Sequence, residues 1–162
     1  TTCTFKIMAS VKDLEPYANN EHGLVDVLLD FKATMPNPIV FKVVGYQALT
    51  FEDVTQGDAL YSRASDGKVG KAVANGTLDQ ATVAGFAETT VTSGNRVRAI
   101  VSGQVPTSQT LDAGDLFYLS ATQAGRIVKT PPSTSGQYVT PVGEAANTNE
   151  LIVRIKRPIG LG

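Results

Sequence analysis

The residues that could do chemistry are few in this chain. It has one histidine, His22, and one cysteine, Cys3. A Ser–His–Asp arrangement would have to use His22, which lies in the polar stretch NNEHGL, and the sequence contains no Gly-x-Ser-x-Gly elbow. We interpret His22 as a loop residue. The neighbours of Cys3 would not lower its thiol pKa strongly, so we interpret it as an inert small residue.

Carboxylate pairs are the other candidates for acid–base work. The pairs that lie close in the sequence are Asp13 with Glu15, Glu52 with Asp53, and Glu144 with Glu150. None lies in a setting that predicts a shifted pKa. Asp112 and Asp115 flank Gly114, but a calcium loop needs several more oxygen ligands at regular spacing. We predict no catalytic residue, no metal site and no cofactor, and therefore a protein that is not an enzyme.

Composition and charge exclude further classes of function. The chain has 162 residues, a net charge of −1 and a pI of about 5.8, so we expect no nucleic-acid partner. No apolar run reaches the roughly 18 residues of a membrane helix, and we expect no membrane partner. One basic cluster, Arg154, Lys156 and Arg157, fits the solvent face of a last strand. We expect a soluble protein that is synthesised and folds in a reducing cytoplasm.

Turn signals separate short apolar runs from residue 54 onwards. Examples are the stretches QGD at residues 56–58, SDG at 65–67 and SGN at 93–95. The runs between them alternate in polarity, as in LFYLS at residues 116–120, which is typical of strands. Short strands at this spacing predict an all-β fold, a small β-barrel or sandwich module over residues 54–162.

The module contains a weak internal repeat. QGDALYSRASDGKVGKA begins at Gln56 and AGDLFYLSATQAGRIVKT begins at Ala113, and each reads Gly-Asp, strand, glycine turn and returning strand. The offset is nearly constant further along, from Gly85 to Gly143. This predicts a possible duplication of residues 56–88 and 113–146 as two halves of one barrel. A chance alignment of turn-rich sequence is the alternative.

Residues 1–53 differ from the module and are predicted to form an extended, strand-rich N-terminal part that contacts partners. TFKIMASV alternates like a strand, whereas residues 24–32 fit a strand face and a helix stripe equally well. The predicted partner-contact residues are Phe5, Ile7, Val11, Tyr17 and Phe31.

The segment from Val54 to Ile155 resembles a module of tailed-bacteriophage virion proteins. The resemblance is carried by VTQGDALY at residues 54–61, VAGFA at 83–87, VRAIVSGQV at 97–105, the long stretch at 111–145 that starts LDAGDLFYLS, and ELIVRI at 150–155. In phage proteins this module looks like the small β-barrels of capsid cement (decoration) proteins, head fibres and tail fibres.

The resemblance implies a structural role on the virion. As a cement protein, the chain would bind the capsid surface, bridge subunits of the major capsid protein and assemble with itself as a homotrimer. It would be synthesised in the bacterial host cytoplasm. The alternative is a tail-fibre, head-fibre or other tail-associated structural protein. The shortness of the chain favours a stand-alone cement subunit over a fibre.

Overall fold

The computed structural model describes residues 42–162, and the structural statements that follow concern these residues. They form eleven strands and one short helix. The strands are β1 (Val44–Leu49), β2 (Ala59–Ser62), β3 (Val69–Lys71), β4 (Gly85–Ala87), β5 (Arg96–Pro106), β6 (Leu116–Leu119), β7 (Ile127–Val128), β8 (Tyr138–Val139), β9 (Pro141–Asn147), β10 (Glu150–Val153) and β11 (Ile159–Gly160). The helix is α1 (Leu78–Ala81). The predicted all-β class is confirmed for this part of the chain.

Nine strands form one sheet whose order is symmetric about its centre. The order is β3-β2-β4-β5-β10-β9-β6-β7, with β1 paired to β5 beside this path, and β8 pairs with β11 separately. Each half therefore has a hairpin at its outer end and a strand that links the hairpin to the centre. The duplication of residues 56–88 and 113–146 remains a prediction, and this order is the arrangement it would produce.

The long strand β5 joins the two halves. Residues from Arg96 to Ser102 pair with β1, and residues from Gly103 to Pro106 pair with β10. Strand β4 pairs with Ala99 and Ile100. One continuous strand thus takes part in both halves of the sheet.

Backbone hydrogen bonds also join the outer ends of the two halves. The N–H of Gly125, in the β6–β7 turn, donates to the Ala72 carbonyl at 2.7 Å, and the N–H of Ala74 donates to the Ser120 carbonyl at 2.9 Å. These bonds bring the segment after β3 against the β6–β7 hairpin. The sheet therefore curls back towards itself, as in a barrel.

The core consists of two clusters that share the sheet. The larger contains fully buried side chains such as Phe86, Ile100 and Leu151, and the smaller includes Leu60 and Val97. Burial of such side chains contributes about 1.5–3 kcal/mol each. The alternation predicted for residues 116–120 is confirmed within β6, because Phe117 and Leu119 are buried and Leu116 and Tyr118 are more exposed. It is wrong for Ser120, which is buried and accepts hydrogen bonds from the N–H groups of Thr122 and Gln123.

The sequence predicts that Tyr46, Tyr61, Tyr118 and Tyr138 lie in strands and that their rings face the core. Tyr46, Tyr61, Tyr118 and Tyr138 do lie in β1, β2, β6 and β8. The prediction of a buried ring is right for Tyr61 and wrong for Tyr46, which is 39% exposed. The physical reason is that β1 has a described neighbour, β5, on one side only, so the Tyr46 ring lacks a described cross-strand neighbour on its other side.

Several predictions fall on residues outside the described part of the chain. These are the strand-rich character of the segment before residue 42, the choice between strand and helix for residues 24–32, His22, Cys3, and the pair Asp13 and Glu15. Strand β1 lies before the predicted module boundary at residue 53 and pairs with β5 inside the module.

Candidate interaction surface

The carboxylates of Glu52 and Asp53 bind backbone amides. The Lys71 N–H donates to Glu52 Oε1 at 2.8 Å, and the Ser93 N–H donates to Asp53 Oδ1 at 2.7 Å. Glu52 Oε2 also lies 3.8 Å from Lys71 Nζ. The two side chains thus hold different segments in place, the end of β3 and the loop before β5, rather than converging on one reacting position.

Glu144 and Glu150 are also separated by their partners. Glu144 lies on β9 with its Oε2 atom 4.0 Å from Arg154 Nη1, while Glu150 begins β10 and accepts a hydrogen bond from the Asn147 amide. The register pairs Glu144 with Ile152 and Glu150 with Asn147. The structure therefore does not bring this predicted pair together as an acid–base unit.

Asp112 and Asp115 do converge, and the group between them is an ammonium. Lys129 Nζ lies 2.9 Å from Asp112 Oδ2 and 2.6 Å from Asp115 Oδ2. Hydrogen bonds to Asp115 and Asp112 raise the pKa of Lys129 above its usual range. The position that a cation would take between these carboxylates is filled by the chain's own lysine.

Asp58 is a buried carboxylate that the sequence did not single out as a site. Its side chain is 4% exposed, and its Oδ2 accepts a hydrogen bond from the Thr55 N–H at 2.8 Å. Burial raises the pKa of Asp58, against the opposing effects of the Thr55 N–H, Arg126 and Lys71. The Gly-Asp step before β2 is the signal that could have marked it. Its bonding shows a turn-forming role.

An exposed cluster of Arg63, Asp66 and Phe51 braces the β2–β3 hairpin. The Arg63 Nε–H donates to Asp66 Oδ1 at 3.0 Å, and the guanidinium carbon lies 4.2 Å from the centre of the Phe51 ring. The hydrogen bond from Arg63 is the main cause that lowers the pKa of Asp66 to about 2. This cluster orders the β2–β3 turn.

Residues 42–162 contain no group of three or more His, Cys, Asp or Glu side chains that could bind a metal ion. No helix among these residues is long and apolar enough to span a membrane.

Exposed apolar side chains gather on β1 and the residue before it. Val43, Val44, Tyr46 and Leu49 are 38–43% exposed. We call these four residues and the outward backbone of β1 the β1 edge. Apolar side chains concentrated on one strand are typical of a surface that contacts another molecule, whereas isolated ones are ordinary.

No described strand occupies the outward backbone groups of the β1 edge, so these groups are available for pairing with another strand. Tyr46 and Ala48 face β5, opposite Ala99 and Val97, and the Thr50 N–H continues this side with a 2.9 Å bond to the Asn95 carbonyl. Since alternate residues of a strand present their backbone groups to opposite sides, Gly45, Gln47 and Leu49 present theirs outward. No other described strand pairs with β1.

The β1 edge lacks the features that usually prevent a strand from pairing with another chain. Its sequence, VGYQAL, contains no Lys, Arg, Asp, Glu or Pro. Charged residues and proline are the common means by which edge strands are blocked. An uncharged, apolar and unblocked edge suits the addition of a strand from a partner.

The predicted partner-contact residues, Phe5, Ile7, Val11, Tyr17 and Phe31, lie outside the described residues, so their role stays a prediction. The β1 edge lies within residues 1–53, the part of the chain that is predicted from the sequence to contact partners. The sequence marked β1 as a strand, but its exposed position depends on which strand it pairs with.

Comparison with known proteins gives matches among solved structures alone. No family model and no curated protein matches this chain. Among solved structures, it aligns with the head fiber gp8.5 N base of bacteriophage phi29 at 20% identity and a TM-score of 0.44. The alignment covers 72% of this chain and 96% of that chain.

Proposed function

We propose that this chain is a structural, non-enzymatic protein of a tailed-phage virion. Two features support the proposal. The module over residues 54–155 resembles the small β-barrels of such proteins, and the β1 edge offers an uncharged strand for assembly. The β1 edge carries the proposal, because its apolar side chains are exposed and its strand contains no charged residue or proline that would block pairing with a partner.

In this role, the β1 edge adds a strand of a virion partner to the sheet. Outward backbone groups at Gly45 and Gln47 would bind the partner strand, and the side chains of Tyr46 and Leu49 would cover its apolar residues. Main-chain hydrogen bonds supply affinity in such contacts, and pockets for alternate side chains supply specificity. A modest contact becomes strong when many copies act together on one particle.

The position on the virion is the finer part of the proposal. As cement, the chain binds the major capsid protein on the head surface, as a homotrimer. As a head fibre, tail fibre or other tail-associated protein, it projects from a few sites. The module resembles those of both classes. The solved structure aligned above is named as a head fiber of its own phage.

Copy number separates these positions. Virions of the phage that encodes this chain would be purified by density gradient, and the chain would be quantified against the major capsid protein by mass spectrometry with labelled standards. Hundreds of copies per particle indicate cement, and a few to a few dozen indicate a fibre or tail component. Absence of the chain from purified virions contradicts the virion role.

A further inference from the structure

A second surface feature lies on the outer face of β6. It is a groove of about 410 Å³, which we call the β6 groove, lined by Leu116, Tyr118, Pro141, Gly143, Arg154 and Lys156 together with the β6 backbone. Leu116 is 60% exposed. An exposed leucine beside a groove wide enough for one side chain suits an apolar anchor from another molecule.

The pairing of β6 with β9 explains why this groove exists. Phe117 lies opposite Gly143 and Tyr118 lies opposite Pro141, with an irregularity in register between the two pairs. Leu116 lies opposite Glu144, and the groove opens further along β9, beside Gly143, which has no side chain, and Pro141, which has a compact one. The groove is thus a consequence of backbone register and of two small residues.

Cations line one wall of the groove. Backbone N–H groups of Arg154 and Lys156 donate to the carbonyls of Val142 and Pro141, both at 2.9 Å, so the chain runs on along β9 beyond the end of β10. Ile155 between them packs against the core, and the two basic side chains are exposed on the opposite side. This agrees with the solvent-facing position expected for the basic cluster.

The positive charge on this wall is only partly compensated within residues 42–162. Arg154 has Glu144 at 4.0 Å, whereas Lys156 has no described carboxylate within 4.0 Å. The two lining cations and the one carboxylate leave a net positive charge beside an apolar floor. The chemistry complementary to this surface is an apolar side chain flanked by carboxylates.

We propose that the β6 groove binds an acidic segment of a partner protein, with an aromatic or aliphatic side chain inserted beside Leu116 and carboxylates facing Arg154 and Lys156. The contact is separate from the β1 edge. It does not depend on whether the partner belongs to a virion, so it is testable apart from the proposed function.

The test uses defined peptides and the full-length chain labelled with ¹⁵N. The probe is acetyl-Glu-Glu-Phe-Glu-Glu-amide, and the matched controls replace each Glu by Gln or Lys, or the Phe by Ala. We expect the acidic Phe peptide to shift the amide signals of β6 and of residues 154–156 in NMR spectra. The control peptides should bind more weakly, because they lack either the charge or the apolar anchor.

Variants localise the binding. Lys156→Glu is expected to weaken binding of the acidic peptide about threefold or more, since each exposed charge pair contributes modestly. Leu116→Asp is expected to abolish binding of this peptide. Lys68→Glu and Leu78→Asp change an exposed cation and an exposed leucine elsewhere, so they should leave binding unchanged.

Three results would overturn the proposal. The first is that the acidic peptide shifts no amide signals of β6. The second is that the Glu and Lys peptides bind equally well. The third is that Lys68→Glu and Leu78→Asp weaken peptide binding as much as Lys156→Glu and Leu116→Asp do. If the sedimentation coefficient of the chain rises with its concentration, and Leu116→Asp removes that rise, the occupant of the groove is instead a second copy of this chain.

Discussion

Gly57 and Gly114 occupy matching places before β2 and β6 and have different surroundings. Both have left-handed backbones, with φ of +84° and +82°. A Cβ on Gly57 would lie 2.4 Å from Thr107 Cα, whereas a Cβ on Gly114 would have no heavy atom within 4 Å. The pair therefore separates the cost of a left-handed backbone from the cost of a steric clash.

We expect Gly114→Ala to lower the free energy of unfolding by about 1–2 kcal/mol, the cost of a left-handed backbone with a Cβ. Gly57→Ala should cost about 1–3 kcal/mol more, because Thr107 must also move. Urea denaturation followed by circular dichroism measures both. Equal losses in the two variants would show that the close approach of Thr107 is not maintained in solution.

A second residue-scale prediction concerns the titration of Asp66. Its pKa of about 2 lies below the usual 3.8 because of Arg63. The stabilisation is therefore present above the unfolded-state pKa and is lost as the pH falls towards 2. Carboxyl NMR titration should show this low pKa, and Arg63→Gln should raise it towards 3.8. Arg98→Gln, which removes a different ion pair, should leave it unchanged; an unmoved Asp66 pKa in Arg63→Gln would contradict the assignment.

At the element scale, Thr140 links α1 to the strands. Its Oγ1 donates to the Ala81 carbonyl at 2.9 Å in a buried contact, whereas Thr82 makes a similar bond to Leu78 at the surface. Thr140→Val leaves the Ala81 carbonyl without this donor, so we expect a loss of about 1–3 kcal/mol in unfolding free energy.

The matched control for that bond is Thr82→Val. Water can replace the hydroxyl at this exposed position, so its effect should stay within about 0.5 kcal/mol. Thermal and urea unfolding of both variants provide the measurement. A Thr140→Val protein as stable as the wild type would mean that the carbonyl finds another partner and that this link is unimportant.

The β1 edge supplies a prediction about assembly. The Gln47 N–H points away from β5, so Gln47→Pro removes an outward donor and leaves the β1–β5 ladder intact. We expect this variant to remain folded. Its affinity for particles made without the chain, measured by co-sedimentation, should fall at least about tenfold. Gln47→Ala keeps the N–H and should bind like the wild type. Unimpaired binding of the proline variant would exclude strand addition at β1.

Local turn chemistry explains which elements were predictable. The glycines at residues 57, 67 and 125 have positive φ, and a glycine at such a position marks a turn in the sequence itself. The course of β5 was not predictable in this way. It is one alternating run in the sequence, and the change of partner from β1 to β10 at Gly103 depends on residues far along the chain.

The interaction surfaces were less predictable than the strands. Exposure of Tyr46 depends on the absence of a neighbouring described strand, and the β6 groove depends on the register of Phe117 with Gly143. Neither is a property of local sequence. The basic residues 154 and 156 were visible as a cluster, but the groove beside them required the fold.

At the scale of the whole molecule, the described residues form a sheet of symmetric order with two exposed features that we propose as protein contacts. The β1 edge offers backbone groups and apolar side chains, and the β6 groove offers an apolar floor with a basic wall. Most carboxylates considered for chemistry are engaged by backbone amides or cations of the chain itself. Such an arrangement fits a protein whose work is assembly.

The most direct test of the virion role is cryo-electron microscopy of phage particles made with and without this chain. Particles without it are expected to lose density of matching size at defined sites on the head or tail, and adding the purified chain should restore that density. Identical particles in both preparations, with no density that the chain could occupy, would contradict the virion role.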